Sequence, residues 1–416
     1  MNKYFWIGLC FLGIGALAEE VRFSADFPGG SVGKIEKAGE NVYRIAMPRQ
    51  CDEKRLNTQS TWFAFRMENV SGPTTLIFHD FDAVYNGRPT RPRWLGQCPV
   101  YSTDGDAWTH VPPENSIWDD ERRTLSVTVP AVGRTVWVAY TALYVQRHWE
   151  ALKTAVADSP NVRMQEIGKS LEGRPIVRFT VTDFAVPEAG KKRFYILARQ
   201  HAWEAHTSWQ ADGMIRFLIS DAGAKLRQKG VFYVIPIVDG DGVEHGRIRF
   251  NGNGYDVNRR WNEVDVTKTK MRDVRPEVWY VKKDILDEHA RLPLDLVVNL
   301  HNDTHTDYID AAGDRVRDWP KFRAIEKALA ETPFYDPNAN HPITIFEQET
   351  AVPSTFDLWW GHRVPTLMIE QKINRNRKTG TFANVPDSQA RGAEFLKILM
   401  ECWASTNVPS DPSVRD

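Results

Sequence analysis

The period of the hydrophobic pattern changes near residue 147, and this change predicts two folded units. Residues 21 to about 145 carry short runs rich in β-branched and aromatic residues, separated by glycine and proline clusters. Such runs with regular turns are typical of an all-β sandwich, which we assign to residues 19–147. The predicted strands are 42–47, 61–66, 74–78, 124–129 and 135–140.

After residue 147, apolar runs of strand length alternate with amphipathic helical segments. This alternation predicts an α/β domain over residues 148–406, with a mixed, largely parallel sheet flanked by helices. The predicted strands are 177–181, 193–198, 231–237, 294–300 and 366–370. The predicted helices are 205–220, 319–331 and 388–403, with another that begins near Trp149. Residues 407–416 are expected to be disordered.

The first eighteen residues have the pattern of a secretory signal peptide. Lys3 precedes an apolar run over residues 4–17, and Ala16-Leu17-Ala18 is a small-x-small cleavage site. An uncleaved anchor is the alternative, although the run is short for a membrane span. We therefore expect a secreted or periplasmic protein with no membrane span once residues 1–18 are removed.

The composition and net charge of the chain limit the kinds of partner that we expect it to bind. The chain of 416 residues is 42% hydrophobic and 26% charged, as expected for a globular protein large enough for two cores. Its formal charge of −1 gives no electrostatic reason to expect binding to nucleic acid or to an anionic membrane. Nothing in the sequence identifies a protein partner.

Three cysteines remain after the signal segment: Cys51, Cys98 and Cys402. An oxidising compartment would permit a disulfide between Cys51 and Cys98, within the N-terminal unit. Cys402 would then be a buried free thiol in the last helix.

The candidate chemistry lies in the second unit. His201-Ala-Trp-Glu204 follows one predicted strand, and His301 and Glu370 stand at the ends of two others. Because sites in open α/β sheets gather at the carboxyl ends of strands, these four side chains are expected to converge. Two histidines and one carboxylate would leave a position open on zinc, as a hydrolytic site requires.

Between Glu204 and His301 lies a glycine-rich loop, residues 240–261, with several arginines. The order of His-x-x-Glu, this loop, strand-His and strand-Glu resembles the zinc metallocarboxypeptidases (funnelins) over about residues 150–405. Gly168-Lys-Ser170 with Gly173-Arg174 is also similar to the family's motif ahead of the first ligand strand. With a β-region in front, the chain most resembles the cytosolic carboxypeptidase subfamily, as a secreted bacterial member.

The resemblance implies a zinc cofactor and a ligand set. His201, Glu204 and His301 match the family's zinc ligands. Asp256, in the Asp-x-Asn-Arg segment, would orient His201 by a hydrogen bond to the ring nitrogen that does not face the metal.

The resemblance also implies catalytic and substrate-binding roles. Asn258 and Arg259 would hold the terminal carboxylate of the substrate, because a guanidinium can bind a carboxylate through two parallel hydrogen bonds. Arg249 would polarise the scissile carbonyl and stabilise the oxyanion. Glu370 would act as general base. The predicted activity is hydrolysis of C-terminal peptide bonds in a peptide or a muropeptide with a free carboxylate.

Two segments depart from the family pattern. Residues 346–350 contain no tyrosine, which digestive members have about twenty residues before the base, and residues 301–305 are more polar than is common. We interpret Lys372, Arg375, Arg377 and Lys378 as a solvated charged loop rather than a binding site for an acidic side chain. We expect Trp203 and the Trp359-Trp360 pair to pack in the core.

Two other functions fit the same residues. A zinc amidase or deacylase acting on small N-acyl amino acids would also need a group that binds a carboxylate. A protein that binds peptide or glycan without turnover is the third possibility, although such proteins usually lose a ligand or the base. The sequence contains no G-x-S-x-G elbow, no HExxH helix and no Walker loop.

Overall fold

The fold is that of a computed structural model, which describes residues 19–404 except 82, 86, 91–93, 314–315, 317–318, 338–342 and 346–351. The predicted signal segment and the predicted disordered tail lie outside the described residues, as does the stretch 346–350. Those predictions therefore stay predictions. Among the described helices, none combines the length and the apolar composition needed to cross a bilayer.

The N-terminal unit is built from strands, as the hydrophobic pattern predicts. Its strands are β1 Arg22–Ser24, β2 Ile35–Gly39, β3 Val42–Ala46, β4 Gln50–Cys51, β5 Thr58–Gln59, β6 Ala64–Glu68, β7 Thr74–His79, β8 Ala83–Tyr85, β9 Arg88–Thr90, β10 Val100–Ser102, β11 Thr109–His110, β12 Ser116–Asp119, β13 Thr124–Val129 and β14 Thr135–Ala139.

Two five-stranded sheets, β1-β6-β14-β10-β11 and β12-β13-β7-β3-β2, enclose one core. Alternate residues of β7 and β13, such as Leu76, Phe78 and Val127, are buried against Phe65 and Val138 of the other sheet. The predicted all-β sandwich is confirmed. A small third sheet, β4-β5-β8-β9, is formed by very short strands, among them Gln50–Cys51.

The second unit alternates strands with helices. Its strands are β15 Val162–Lys169, β16 Pro175–Val181, β17 Lys192–Leu197, β18 Gly230–Ile235, β19 Leu296–Asp303, β20 Tyr308–Ala311, β21 Ile343–Ile345 and β22 Thr366–Lys372. Its helices are α1 Gln146–Val156, α2 Ala205–Ile219, α3 Ala224–Lys229, α4 Gly240–Glu244, α5 Lys270–Val274, α6 Pro276–Arg291, α7 Pro320–Glu331, α8 Ser354–Phe356 with the π turn Asp357–Gly361, and α9 Val385–Ala404.

These strands form one sheet in the order β15-β16-β18-β17-β19-β22-β20-β21. The central strands β18, β17, β19 and β22 are mutually parallel, whereas β16 and β20 pair antiparallel to them. Helices α2, α7 and α9 cover one face, and α6 covers the other through Val281 and Ile285. The predicted mixed, largely parallel α/β sheet is confirmed.

Element boundaries differ from the prediction in two informative places. β19 and β22 continue past residues 300 and 370, because pairing runs on from His301 opposite Glu370 to Asp303 opposite Lys372. The polar residues that suggested a strand end therefore stay in the hydrogen-bonded ladder. The predicted boundary at 147/148 falls inside α1, which begins at Gln146.

The predicted disulfide between Cys51 and Cys98 is wrong, because all three cysteines of the described residues are free. Cys51 is exposed on the small sheet, whereas Cys98 is buried in the sandwich. Burial raises the pKa of Cys98 to about 11 and keeps it a thiol. Cys402 is a free thiol as predicted, but it is half-buried in α9 rather than fully buried.

Candidate metal centre

Two of the predicted ligands lie in the turn between β17 and α2. His201 and Glu204 follow the carboxyl end of β17 and directly precede the first residue of α2. Within this turn Arg199 has a φ of +60° and is almost completely buried. Its Nε donates to the carbonyl of Ala202 at 2.7 Å. This buried arginine helps to hold the shape of the turn, and no sequence motif indicated it.

The three predicted ligands converge in the folded chain. Nδ1 of His201 lies 2.7 Å from Oε1 of Glu204, and Nδ1 of His301 lies 2.9 Å from Oε2 of the same carboxylate. One potential ligand atom from each residue lies within 4.8 Å of the other two, and all three side chains are buried. The structure thus brings together residues that are about a hundred positions apart in sequence.

The chemistry of these donors fits zinc. Burial alone would raise the pKa of Glu204, but the charges of His301 and His201 hold it at about 2, and burial lowers the pKa of His301. A deprotonated carboxylate and a neutral imidazole are the forms that bind a metal. Oε2 of Glu204 is buried and has no hydrogen-bond partner, although Nδ1 of His301 is near. Two nitrogens and one oxygen are donors that zinc accepts.

Asp256 supports the first histidine from the side opposite to Glu204. Its Oδ1 lies 3.1 Å from Nε2 of His201 and accepts the backbone N–H of Asn258 at 2.8 Å. Its Oδ2 accepts from Nε of Arg249 at 2.6 Å. Although burial raises the pKa of Asp256, the charges of Arg249 and His201 hold it well below its usual value. The predicted contact between Asp256 and His201 is present.

The Nε2 atom of His301, which faces away from Glu204, has uncharged hydrogen-bond partners. Nε2 lies 3.2 Å from Oε1 of Gln200 and 3.2 Å from Nδ2 of Asn258. Oδ1 of Asn258 accepts both the backbone N–H and the hydroxyl of Ser354. The side chain of Asn258 is therefore buried behind the ligand, and the substrate contact predicted for it stays a prediction. Gln200 and Ser354 carried no signal in the sequence.

Glu370 lies beside the ligand cluster on the neighbouring strand. It is buried, and its Oε2 has no hydrogen-bond partner. Burial, followed by the charges of Glu204 and Asp303, raises the pKa of Glu370 well above its usual value, against the opposing effect of Arg249. A cation held by Glu204 would favour the ionised form of Glu370, which is the form that a general base requires.

Arg249 and Arg259, predicted to contact the scissile carbonyl and the terminal carboxylate of the substrate, are half-buried on the loop that carries Asp256. Nη1 of Arg259 donates to the carbonyl of Asn258 at 2.9 Å. Beneath the loop, the buried Arg275 donates to the backbone carbonyls of residues 256, 259 and 260. Arg275 therefore holds the loop that presents Arg249 and Arg259, and its position in a charged helical segment gave no indication of that role.

The basic run after Glu370 is exposed at Arg375, Arg377 and Lys378, as interpreted, whereas Lys372 is half-buried. Its side chains are nevertheless held by ion pairs and hydrogen bonds. Lys372 and Arg377 both pair with the buried carboxylate of Asp336, at 2.8 and 2.7 Å. Arg375 and Lys378 donate to backbone carbonyls. Local sequence could not reveal Asp336, which is about forty residues away.

The tryptophans divide between core and surface. Trp203 and Trp359 pack in the core as expected. Trp360 was also expected there, but it is 39% exposed and donates its indole N–H to the carbonyl of Ala312.

Each of the two units of the fold matches a known protein family. The zinc carboxypeptidase family matches residues 149–332, and the cytosolic carboxypeptidase N-terminal domain matches residues 23–141. The first match contains His201, Glu204, Arg249, Asp256, Asn258, Arg259 and His301. Glu370 lies beyond it, so its assignment rests on the geometry and on the resemblance.

The chain matches two relatives over different shares of their length. An uncharacterized protein of Zymomonas mobilis is 24% identical over 404 residues, covering 92% of this chain and 96% of that protein. Human cytosolic carboxypeptidase 6 is 26% identical over 307 residues, covering 69% of this chain and 56% of that protein. The chain thus spans only about half the length of this curated carboxypeptidase.

A solved structure matches the whole fold. A metallo-carboxypeptidase from Burkholderia cenocepacia superposes with a TM-score of 0.75 at 20% identity, covering 93% of this chain and 100% of that chain. The likeness includes both units and establishes their shared architecture. Together with the metal-binding geometry, the two family matches show that this chain carries a zinc carboxypeptidase domain, matched over residues 149–332, and the N-terminal domain of the cytosolic carboxypeptidases, matched over residues 23–141.

Proposed function

We propose that this chain is an exported zinc carboxypeptidase that removes residues one at a time from the C-terminus of peptides with a free carboxylate. The observation that carries this proposal is the buried cluster of His201, Glu204 and His301 beside the carboxylate of Glu370. Zinc held by these three side chains would supply Lewis acidity and keep a coordination position open for water.

Glu370 moves the proton in this proposal. In its ionised form it takes a proton from the attacking water, and it later delivers that proton to the leaving amine. The buried position of Glu370 suits this exchange, because its Oε2 has no hydrogen-bond partner among the described residues.

The arginines stabilise negative charge. Arg249 is oriented by its hydrogen bond to Asp256, so that its guanidinium is preorganised for the oxyanion that forms during hydrolysis. Arg259 offers a planar fork to the substrate's terminal carboxylate. Asn258 would contribute to the same contact only if its side chain left Ser354.

The location and the kind of peptide are part of the proposal. The charged start, the apolar run and the small-x-small site within residues 1–18 support export to the periplasm or beyond the cell. In that compartment the substrate is either a protein-derived peptide or a muropeptide.

Mass spectrometry of a mixed substrate pool tests the proposal. The pool contains free-acid peptides, the same peptides as C-terminal amides, and muropeptides; it is incubated with zinc-loaded protein or with the Glu370→Gln variant. Stepwise loss of terminal residues from free acids, absent in the variant, is the expected result. Cleavage of muropeptides alone would narrow the substrate to the cell wall. Equal loss from the amides, or no cleavage with zinc bound, would contradict the proposal and favour an amidase for N-acyl amino acids.

A further inference from the structure

The side chain of Gln50 crosses from the N-terminal domain and binds the backbone on either side of Arg249. Its Oε1 accepts the N–H groups of Ile248 at 2.9 Å, Arg249 at 2.6 Å and Phe250 at 3.0 Å. Its Nε2 donates to the carbonyl of Phe250 at 2.5 Å. One amide side chain therefore holds three consecutive residues of the catalytic domain.

Three successive backbone N–H groups that converge on one oxygen form a concave nest. In this protein the nest is filled by an atom of the chain itself, from about two hundred residues away. The position of Ile248, Arg249 and Phe250 is thus set by the N-terminal domain, and not by the catalytic domain alone.

A second contact anchors the far end of the same loop. The N–H of Glu53 donates to the carbonyl of Gly254 at 3.0 Å, and the Glu53 carboxylate pairs with Arg260 at 2.6 Å. Gly254 has a φ of +81°, and a Cβ there would lie 2.7 Å from the nitrogen of Glu53. The segment from Gln50 to Glu53 therefore contacts the loop at both ends, close to Arg249 and to Arg260.

The side chain of Arg249 has its own restraint. Its Nε donates to Asp256, which also contacts His201. Gln50 fixes where the backbone of Arg249 lies, and Asp256 fixes the direction of its guanidinium. The two restraints together place the guanidinium relative to the metal ligands.

We propose that Gln50 is a positioning residue for the reaction: the N-terminal domain supplies the side chain that preorganises Arg249 for the oxyanion. This inference rests on the proposed function for its consequence, although the contact itself does not. A displacement of about 1 Å at a catalytic group can reduce the rate on the order of 100-fold, so the loss of Gln50 has a measurable effect on kcat.

The test compares Gln50→Met, Arg249→Ala and the double variant by steady-state kinetics. Methionine keeps the length of the side chain and removes its hydrogen bonds. Gln59→Met is the matched control, because Gln59 lies directly opposite Gln50 on β5 and its side chain makes no hydrogen bond within the described residues. We expect Gln50→Met to lower kcat about 10- to 100-fold with little change in KM. The control stays close to the wild-type protein.

The double variant separates positioning from a general structural role. If Gln50 acts through Arg249, its exchange changes kcat by less than about threefold when Arg249 is already alanine. An equal loss of kcat in both backgrounds would overturn the proposal, as would a folded Gln50→Met protein with the kcat of the wild type.

Hydrogen exchange gives a readout that does not need the substrate. Mass-spectrometric exchange of a peptide containing residues 248–250 should be at least about tenfold faster in Gln50→Met than in Gln59→Met. Unchanged protection in Gln50→Met would overturn the contact even if the enzyme proved inactive on every peptide. Faster exchange with an inactive wild-type protein would instead contradict the proposed function and leave the contact in place.

Discussion

His301 and Glu370 are register partners on the neighbouring parallel strands β19 and β22. Paired strands lie about 4.8 Å apart, and register partners point to the same face of the sheet. The separation between a metal ligand and the proposed base is therefore set by backbone hydrogen bonds in the centre of the sheet. The distance between the base and the metal site is therefore more constant than it would be if a flexible loop carried the base.

Exchange of Glu370 for glutamine should remove the proton transfer and leave the metal site intact. We expect kcat to fall on the order of 10²- to 10⁴-fold, because that is the usual contribution of a general base. Turnover of a free-acid peptide and zinc content per molecule are measured together. Glu401→Gln, on the exposed side of α9, serves as the control. A Glu370→Gln protein that turns over at the wild-type rate would remove Glu370 from the mechanism.

Exchange of Asp256 for asparagine should weaken zinc binding. The carboxylate contacts His201 and also accepts from Arg249, so its loss frees the imidazole to rotate and weakens the hydrogen bond that fixes the tautomer of the ring. We expect zinc affinity to fall about 10- to 100-fold, measured by competition with a chelator. Asp357→Asn breaks a buried ion pair with Lys282 that involves no metal ligand, and it controls for general destabilisation. Equal zinc affinities in the two variants would contradict the assignment.

His148, at the junction of the two domains, should make stability depend on pH. Burial, aided by the charge of Arg147, lowers the pKa of His148 to about 4, despite the nearby Asp106. At a pH above the pKa that His148 has in the unfolded chain, the histidine is neutral in both the folded and the unfolded state. Its titration then does not change the free energy of unfolding. As the pH falls towards 4, only the unfolded state takes up the proton, so the free energy of unfolding falls by about 3 kcal/mol.

Urea unfolding at pH 7 and at pH 4.5 checks this expectation. The His148→Gln variant lacks the titrating group, so its stability should fall less than that of the wild type over the same range. The same exchange at the exposed His305 controls for the loss of a histidine elsewhere. Parallel losses of stability in the wild type and in His148→Gln would show that His148 is not the source.

The cysteines should react as three separate thiols. Denatured, unreduced protein without residues 1–18 is expected to show all three, because Cys51, Cys98 and Cys402 are free. In the folded protein Cys51 should react first, since burial raises the pKa values of Cys98 and Cys402 to about 11 and the thiolate is the reactive form. The reaction with a thiol reagent, followed over time, measures the number of free thiols and the rate at which each one reacts. Cys51→Ser should abolish the fast phase, and a denatured count below three would indicate a disulfide.

Several features of the fold could be predicted because they depend on local pattern. Alternation of apolar residues predicted the strand Thr124–Val129 with its exact ends, and helical periodicity predicted α2 to within a residue. The ends of β19 and β22 were misjudged, because polar residues at a site stay in the ladder only when a neighbouring strand pairs with them.

The sequence by itself determined the two kinds of domain and the set of groups capable of the chemistry, including His201, Glu204, His301 and Glu370. Periodicity and motif spacing are properties of nearby residues, so they can be read along the chain. Only the tertiary structure decided which remote groups support that chemistry: Gln200 and Ser354 behind the ligands, Arg275 under the loop, and Gln50 from the other domain. These contacts join residues that are tens to hundreds of positions apart. Hydrogen bonds over such separations leave no local pattern, because their geometry exists only after the domains have folded and packed together.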